Sequence, residues 1–498
     1  MSTELERTRR VPWRPLEHFA GRSLAGLLLV VGCGLGFGLL LMLVRVEFGP
    51  LYDLDHGTAQ ELNRIISEQG PLVTVLQAIT DLGGRPIMLW LVTVAVVGLL
   101  IRRQPRLAIY LVVAGAGALF LDPALKLIVG RLRPAVEVAL TGSAGNSFPS
   151  GHALGSLVAY GALLLVFLPA LAPRWRRPAI WIVATVVFLI GFTRVALGVH
   201  FISDVIGGWL LGLAWLGVTA YAFRLWRLEV GQRVPHLIEG LEPEAAHEIA
   251  PAPDEEKILP KVRLGIAEII TGWVLVFGVL FAFGMLVSYY ADDTFVDTVD
   301  TAVPRWFAEH RTPALDDFSH WWSKAGDTHA ILFVSLVFCP LVLAVWRRWR
   351  PVVFLALTMF GELTLFLATA RAVDRPRPPV ENLDGPMPTA SFPSGHIAAT
   401  MCLWVAIAVL LWPRTGRLLR WLAVAAAVIM PLGVAVSRMY RGMHHPSDLV
   451  GAMLLTGLWI GLLYWVVRPN ADVAAGNEPA TLPDDDTVSA ELETAGRR

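Results

Sequence analysis

The sequence predicts an all-α protein that crosses a membrane about 12 times, arranged as two six-helix bundles built on one plan. Three observations lead there. Hydrophobic residues make up 55% and charged residues 16% of the 498, with a mean hydropathy of +0.58, which is more apolar surface than a soluble core needs. The apolar residues gather in runs about as long as a bilayer is thick. Finally, the string Ser147-Phe148-Pro149-Ser150-Gly151-His152 returns 244 positions later as Ser391-Phe392-Pro393-Ser394-Gly395-His396. Arg133 and Arg377, Arg194 and Arg438, His200 and His444, and Asp204 and Asp448 keep the same spacing. A constant offset across otherwise dissimilar apolar sequence implies a duplicated unit with a constrained site in each copy.

Residues 1–22 are polar and rich in arginine, and Ser23 to Val44 then run without a charge. At 1.5 Å per residue this run spans the roughly 30 Å hydrocarbon layer, and its length favours an anchoring helix over a cleaved signal peptide. Residues 45–85 alternate apolar and polar positions, which predicts an interfacial or partly buried helix. Apolar runs follow at 86–101, 107–125, 151–172, 179–193 and 204–223, completing a first domain over 23–223. Residues 224–262 are polar and proline-containing, with the charged run Asp254-Glu255-Glu256-Lys257, and are expected to be a mostly disordered linker. The second domain, 263–468, repeats the plan with runs near 266–290, 329–346, 352–369, 396–412, 418–436 and 448–467. Residues 469–498 form an acidic tail for which no structure is expected.

Basic residues set the orientation. The amino-terminal arm, Arg102-Arg103-Arg106, Arg174-Arg176-Arg177 and Arg224-Arg227-Arg233 fall on one side, as do Arg347-Arg348-Arg350, Arg414-Arg417-Arg420 and Arg468. The positive-inside rule makes that side cytoplasmic. Both termini and the linker then face the cytoplasm of a multi-pass cell-membrane protein, and six crossings per half make the halves parallel repeats. The recurring polar residues fall at the opposite, extracytoplasmic helix ends. There Arg131, Arg133 and Arg194, with Arg375, Arg377 and Arg438, run against the charge bias, which an anionic ligand explains. A formal net charge of zero gives no basis for nucleic acid as a partner. The three cysteines lie in apolar runs and read as packing residues.

The polar set of the first half suits a phosphate. Arg133 and Arg194 offer planar multidentate contacts, Lys126 a point charge, Ser150 a hydroxyl, and Gly151 close access to the amides that open a helix. His200 precedes Asp204 by four residues, so a helical turn can place the carboxylate on one ring nitrogen and leave the other to attack phosphorus. His152 is positioned as general acid. The chemistry expected is phosphoryl transfer through a phosphohistidine. No acidic cluster for magnesium accompanies these residues, so neither metal nor cofactor is expected.

Lys126 with Arg133 and Pro134, then Pro149 to His152, then Arg194 with His200 and Asp204, resemble the three motifs of the type 2 phosphatidic acid phosphatases, relatives of the vanadium haloperoxidases. The resemblance covers roughly 50–223 and 290–467. It implies a six-helix bundle with an extracytoplasmic lipid-phosphatase site in which His200 is nucleophile, His152 acid and Asp204 its partner. In the second half His444, His396 and Asp448 match those roles, and Arg377, Ser394, Gly395 and Arg438 match the phosphate ligands. Thr193 stands where the family has serine, and Ser437 restores it. Ala370 occupies the position of Lys126 and Phe366 that of Asp122, with Arg371 about 100° round the helix. The expected partner is a lipid phosphate. A phosphotransferase using the same intermediate, and a non-catalytic anion-binding or transport protein, are the alternatives. His445 and seven other histidines read as structural or interfacial, and Glu362, inside an apolar run, is equally consistent with a functional and a structural role.

Overall fold

The computed structural model describes residues 14–136, 145–229, 235–253, 258–259, 261–290, 293–385 and 389–474, and every regular element among them is helical. Two compact units divide the chain, Met1–Ala250 and Pro251–Arg498. The first contains α1 (Arg14–Arg45), α2 (Gly49–Ser67), α3 (Gly70–Asp81), α4 (Arg85–Ile101), α5 (Pro105–Val129), α6 (Gly151–Phe167), α7 (Pro173–Ala196), α8 (Ile202–Glu229) and a short α9 (Ala246–Ile249). The second contains α10 (Val262–Tyr289), α11 (Phe295–Glu309), α12 (Pro313–Ala325), α13 (Thr328–Trp346), α14 (Trp349–Val373), α15 (Gly395–Leu411), α16 (Arg417–Tyr440), α17 (Pro446–Val467) and α18 (Ala471–Ala474).

Proline marks many of the starts. It occupies the first or second position of α2, α3, α4, α5, α7, α12 and α17, where its missing N–H would have had no helical partner anyway. α5 stops at Gly130, whose φ of +69° is the left-handed conformation that glycine adopts without a Cβ penalty. Between such ends the helices satisfy their own backbone polar groups, as a chain in hydrocarbon must. Among the described residues eleven helical segments are long and apolar enough to cross a membrane, six in the first unit and five in the second. The 17-residue apolar α15 is the counterpart of α6, also 17 residues, which the turn Leu168–Ala170 extends to a 20-residue segment, giving each unit the same six-segment order. The chain is an integral membrane protein.

In each unit the helix that opens with the recurrent motif is central. α6 packs on α5, α7 and α8, burying Leu154 and Val158 against Leu107 and Leu111. α15 packs on α14, α16 and α17, burying Leu403 and Ala406 with Phe354 and Trp459. Outer faces carry exposed Leu35, Phe120, Trp181, Phe333 and Leu418, the pattern of surfaces solvated by lipid.

Three sequence-based expectations change. Residues 45–85 form two helices ahead of α4, and α2 buries Asp55 and Asn63. The segment expected to be a disordered linker is largely folded: α8 continues to Glu229, and residues 236–250 pack beneath the first bundle through Leu241, Ala245 and Ile249. Arg227 holds this segment through Glu242 and Glu244, and Arg102 through the carbonyls of Glu248 and Ala250. A handful of apolar residues at helical spacing, diluted among prolines and acids, was enough to order it. The beginning of the acidic tail is also placed, since Arg414 pairs with Asp472 and donates to Asn470 and the Pro469 carbonyl. Residues 1–13 of the amino-terminal arm and 475–498 of the tail lie outside the described residues.

Candidate active site

The site begins with the turn between α7 and α8. His200 and Asp204 face each other there across that turn, Nδ1 lying 3.3 Å from Oδ2. Both are buried, His200 at 1% exposure and Asp204 at 0%. The same carboxylate oxygen accepts from the Phe201 amide at 2.9 Å and from the Ser147 hydroxyl. Its other oxygen accepts from Arg131 at 2.8 Å. A carboxylate held this way presents a fixed acceptor to Nδ1, which puts the imidazole proton on Nδ1 and the lone pair on Nε2. Burial, the largest influence, depresses the His200 pKa to about 4 despite Asp204, so the ring is neutral at neutral pH.

Nε2 lies 3.3 Å from Nη1 of Arg133, which also donates to the Val199 carbonyl at 2.7 Å. Arg194 rises from α7, its Nη1 donating to Thr80 at 2.9 Å while its Nε has no partner among the described residues. Ser150 caps α6, its amide donating to the Asp204 carbonyl and its buried Oγ having no partner among the described residues. Lys126 is one turn from the end of α5 and pairs with Asp122 at 2.8 Å. His152, in the first turn of α6, is within electrostatic reach of Arg194, His200, Lys126 and Arg133. The fold thus brings together every residue of the first-half set. Gly151 acts through packing: a Cβ there would come within 2.7 Å of the Asp122 carboxylate, and in the second unit a Cβ on Gly395 would come within 2.8 Å of Phe366.

The second unit repeats the frame. His444 Nδ1 lies 3.4 Å from Asp448 Oδ2 and 2.8 Å from the Ser391 carbonyl oxygen. Ser391 donates to Asp448 at 2.5 Å, Arg377 to the Met443 carbonyl at 2.7 Å, and Arg438 to Ser323 at 2.9 Å. Ser394 Oγ is again buried and without a partner among the described residues, and burial again depresses the histidine, His444, to about 4. The differences lie around this frame. Arg438 also donates to Asp384 at 2.6 Å, and Arg441 to the other oxygen of that carboxylate at 2.7 Å. His396 Nε2 lies 2.9 Å from Asp327. Its counterpart His152 meets no carboxylate among the described residues, because Gly84 caps α4 where Asp327 caps α13. Asp122 joins Arg85 and Lys126 in an ion cluster, for which the second unit has Phe366, Thr328 and Ala370. Arg371 is exposed and does not fill the lysine's place.

Two buried triads were not legible in the sequence. Asp55 of α2 accepts from Arg131 at 2.8 Å, from the Ser203 amide at 3.0 Å, and from the Ser203 hydroxyl. Asp300 of α11 does the same for Arg375 and Ser447. These aspartates are 245 positions apart, so a search at a spacing of 244 passes over them. They also correct the reading of Arg131 and Arg375 as arginines for an external anion: each guanidinium is shared between two internal carboxylates, Asp55 and Asp204 or Asp300 and Asp448. His445, read as structural, is buried on the carbonyls of Asp300 and Pro376.

Comparison with known proteins finds the same family in both halves of the chain. A model of the PAP2 superfamily matches residues 107–227 and 351–472. Over 153 residues the chain is 31% identical to phosphatidylglycerophosphatase B of Bacillus subtilis (strain 168), covering 30% of this chain and 74% of that one. It is 35% identical over 124 residues to undecaprenyl-diphosphatase of Sulfolobus acidocaldarius, covering 24% and 55%, and 38% identical over 79 residues to phosphatidylglycerophosphatase B of Escherichia coli (strain K12), covering 16% and 29%. The crystal structure of a transmembrane PAP2 type phosphatidylglycerolphosphate phosphatase from Bacillus subtilis aligns with a TM-score of 0.34 at 21% identity, over 40% of this chain and 96% of that one. With its motifs present twice and a family match in each half, the chain belongs to the PAP2 superfamily.

Proposed function

We propose that this membrane phosphatase removes phosphate from a lipid phosphomonoester or pyrophosphate headgroup on the extracytoplasmic face, through a phosphohistidine on His200 and without a metal ion. One observation carries the reading: Nδ1 of His200 faces a fixed carboxylate while Nε2 faces Arg133, so a phosphate held by Arg133 lies at the nucleophilic nitrogen. The names of the relatives support both headgroup classes.

The steps follow from the residues. Arg133, Arg194, Lys126 and the Ser150 hydroxyl bind the phosphoryl oxygens and match the charge that builds on them in the transition state. Nε2 forms a bond to phosphorus as the bond to the lipid oxygen breaks, and His152 gives its proton to that oxygen. Water then attacks the phosphohistidine, His152 takes the proton, and phosphate leaves with His200 restored. Cationic side chains supply the charge stabilisation that a metal would otherwise give, which supports metal independence.

The first unit carries most of the turnover in this reading, because Lys126 has no equivalent at Ala370. The test compares His200→Ala with His444→Ala, both confirmed folded, on a panel of lipid phosphates with excess chelator. His200→Ala is expected to abolish nearly all phosphate release and an acid-labile, base-stable label on the protein, and His444→Ala to remove little. Loss of activity in chelator with rescue by magnesium contradicts the mechanism. Greater damage from His444→Ala on every substrate reassigns the working site.

A further inference from the structure

The second unit encloses a cavity of about 300 Å³ that runs from Arg377, Arg438 and His444 down between α13, α14 and α15 to Glu362. Glu362 is 3% exposed and has no hydrogen-bond or ion-pair partner among the described residues. It belongs to α14 one turn below Phe366, the residue packed against Gly395. The matching cavity of the first unit, about 280 Å³, has Ala118 at that level and carries its carboxylate a turn higher, as Asp122, already neutralised by Arg85 and Lys126. Between the repeats, an acid has in effect moved one turn into the cavity and lost its cations.

The charge around the two cradles differs accordingly. The first sets Arg85, Lys126, Arg133 and Arg194 against the carboxylates of Asp122 and Asp81. The second sets Arg377, Arg438, Arg441 and Lys324 against Glu362, Asp327 and Asp384. A site that keeps two phosphate-facing arginines, loses the lysine and gains a carboxylate matches a ligand whose phosphate is partly balanced by its own positive charge. A carboxylate without a partner in a low-dielectric cavity is costly, and a ligand ammonium beside it offsets that cost.

We infer that the second unit binds an amphiphilic phosphate ester bearing a protonated amine, its phosphate on Arg377 and Arg438 and its ammonium on Glu362, deeper in the same cavity. The inference rests on the phosphate reading of the cradle proposed above and adds the headgroup class. Glu362 is then a specificity-determining residue with no part in bond breaking.

The test uses the full chain carrying His200→Ala, reconstituted in nanodiscs, with a matched pair of probes: tetradecyl phosphate and 2-aminotetradecyl phosphate. Phosphate release and ligand-induced thermal stabilisation are both read. The amine-bearing probe is expected to be favoured at least about 10-fold, the size of one charge-assisted hydrogen bond. The isosteric Glu362→Gln, checked for folding by its unliganded melting temperature, is expected to erase that preference, and Glu362→Asp to keep part of it. Equal handling of the two probes, or a preference that survives Glu362→Gln, overturns the inference while leaving the phosphate reading standing. If neither probe is turned over or stabilises the chain, the phosphate reading of this cradle fails and the inference falls with it.

Discussion

At the residue scale, much of the apparent anion-binding charge is structural. Arg131 is locked between Asp55 and Asp204, both fully buried, and so orients the carboxylate that orients His200. Replacing it with methionine leaves two buried carboxylates uncompensated, a change that typically costs about 3–5 kcal/mol. Arg131→Met is therefore expected to lower the unfolding midpoint sharply, and, where folded protein is recovered, to reduce kcat more than it raises KM. Unaltered stability would show that the triad contributes nothing. His200 gives a second prediction at this scale. Its unprotonated form is the nucleophile, and with its pKa held at about 4 by burial that form persists well below the ordinary histidine value of about 6.5. The acidic limb of kcat/KM, corrected for titration of the substrate phosphate, is expected near pH 4, and a limb at 6.5 would assign the titration elsewhere.

At the element scale, the two units differ where α4, α5 and α6 meet and where α13, α14 and α15 meet. One face of α5 carries Asp122 and Lys126 at i, i+4, and Arg85 from the start of α4 completes the cluster over Gly151. The same face of α14 carries Phe366 and Ala370, and its aromatic ring takes the volume above Gly395. A lysine added alone at 370 would lack the carboxylate that holds Lys126. In the His200→Ala chain, Phe366→Asp combined with Ala370→Lys is expected to raise phosphate release from a simple alkyl phosphate by about 10-fold or more, since one lost donor in a preorganised site costs about 10²- to 10³-fold. Ala370→Lys alone is expected to give much less. Equal gains from the single and double variants would mean that the lysine needs no partner.

At the scale of the whole molecule, the distribution of basic residues supports a cytoplasmic location for the α15–α16 turn and an extracytoplasmic one for the α2–α3 turn. The free cysteines Cys33, Cys339 and Cys402 can be replaced to give a silent background. In intact cells an impermeant thiol reagent is expected to label Glu68→Cys and to leave Gly416→Cys unlabelled until the membrane is opened. The reverse pattern would invert the topology and move both sites to the cytoplasm.

The sequence by itself determined the helix plan and the duplication, and it supplied the residues proposed for each cradle. Hydrocarbon requires long apolar helices, and a duplicated unit with a constrained polar site keeps its residues at a fixed spacing, as Arg133, His152, Arg194, His200 and Asp204 do. Only the tertiary structure decided how those charges are shared. Arg131 and Arg133 are two residues apart in the chain, yet one is consumed by Asp55 and the other borders the Nε2 of His200. The second cradle is altered by Asp384, Asp327 and Glu362, which arrive from separate elements. The folding of 236–250 against the first bundle was likewise invisible, because a few buried apolar side chains there outweigh a polar composition. Spacing along a chain records which residues must stay together. The partner that neutralises each charge is set by through-space distance, which only the folded chain defines.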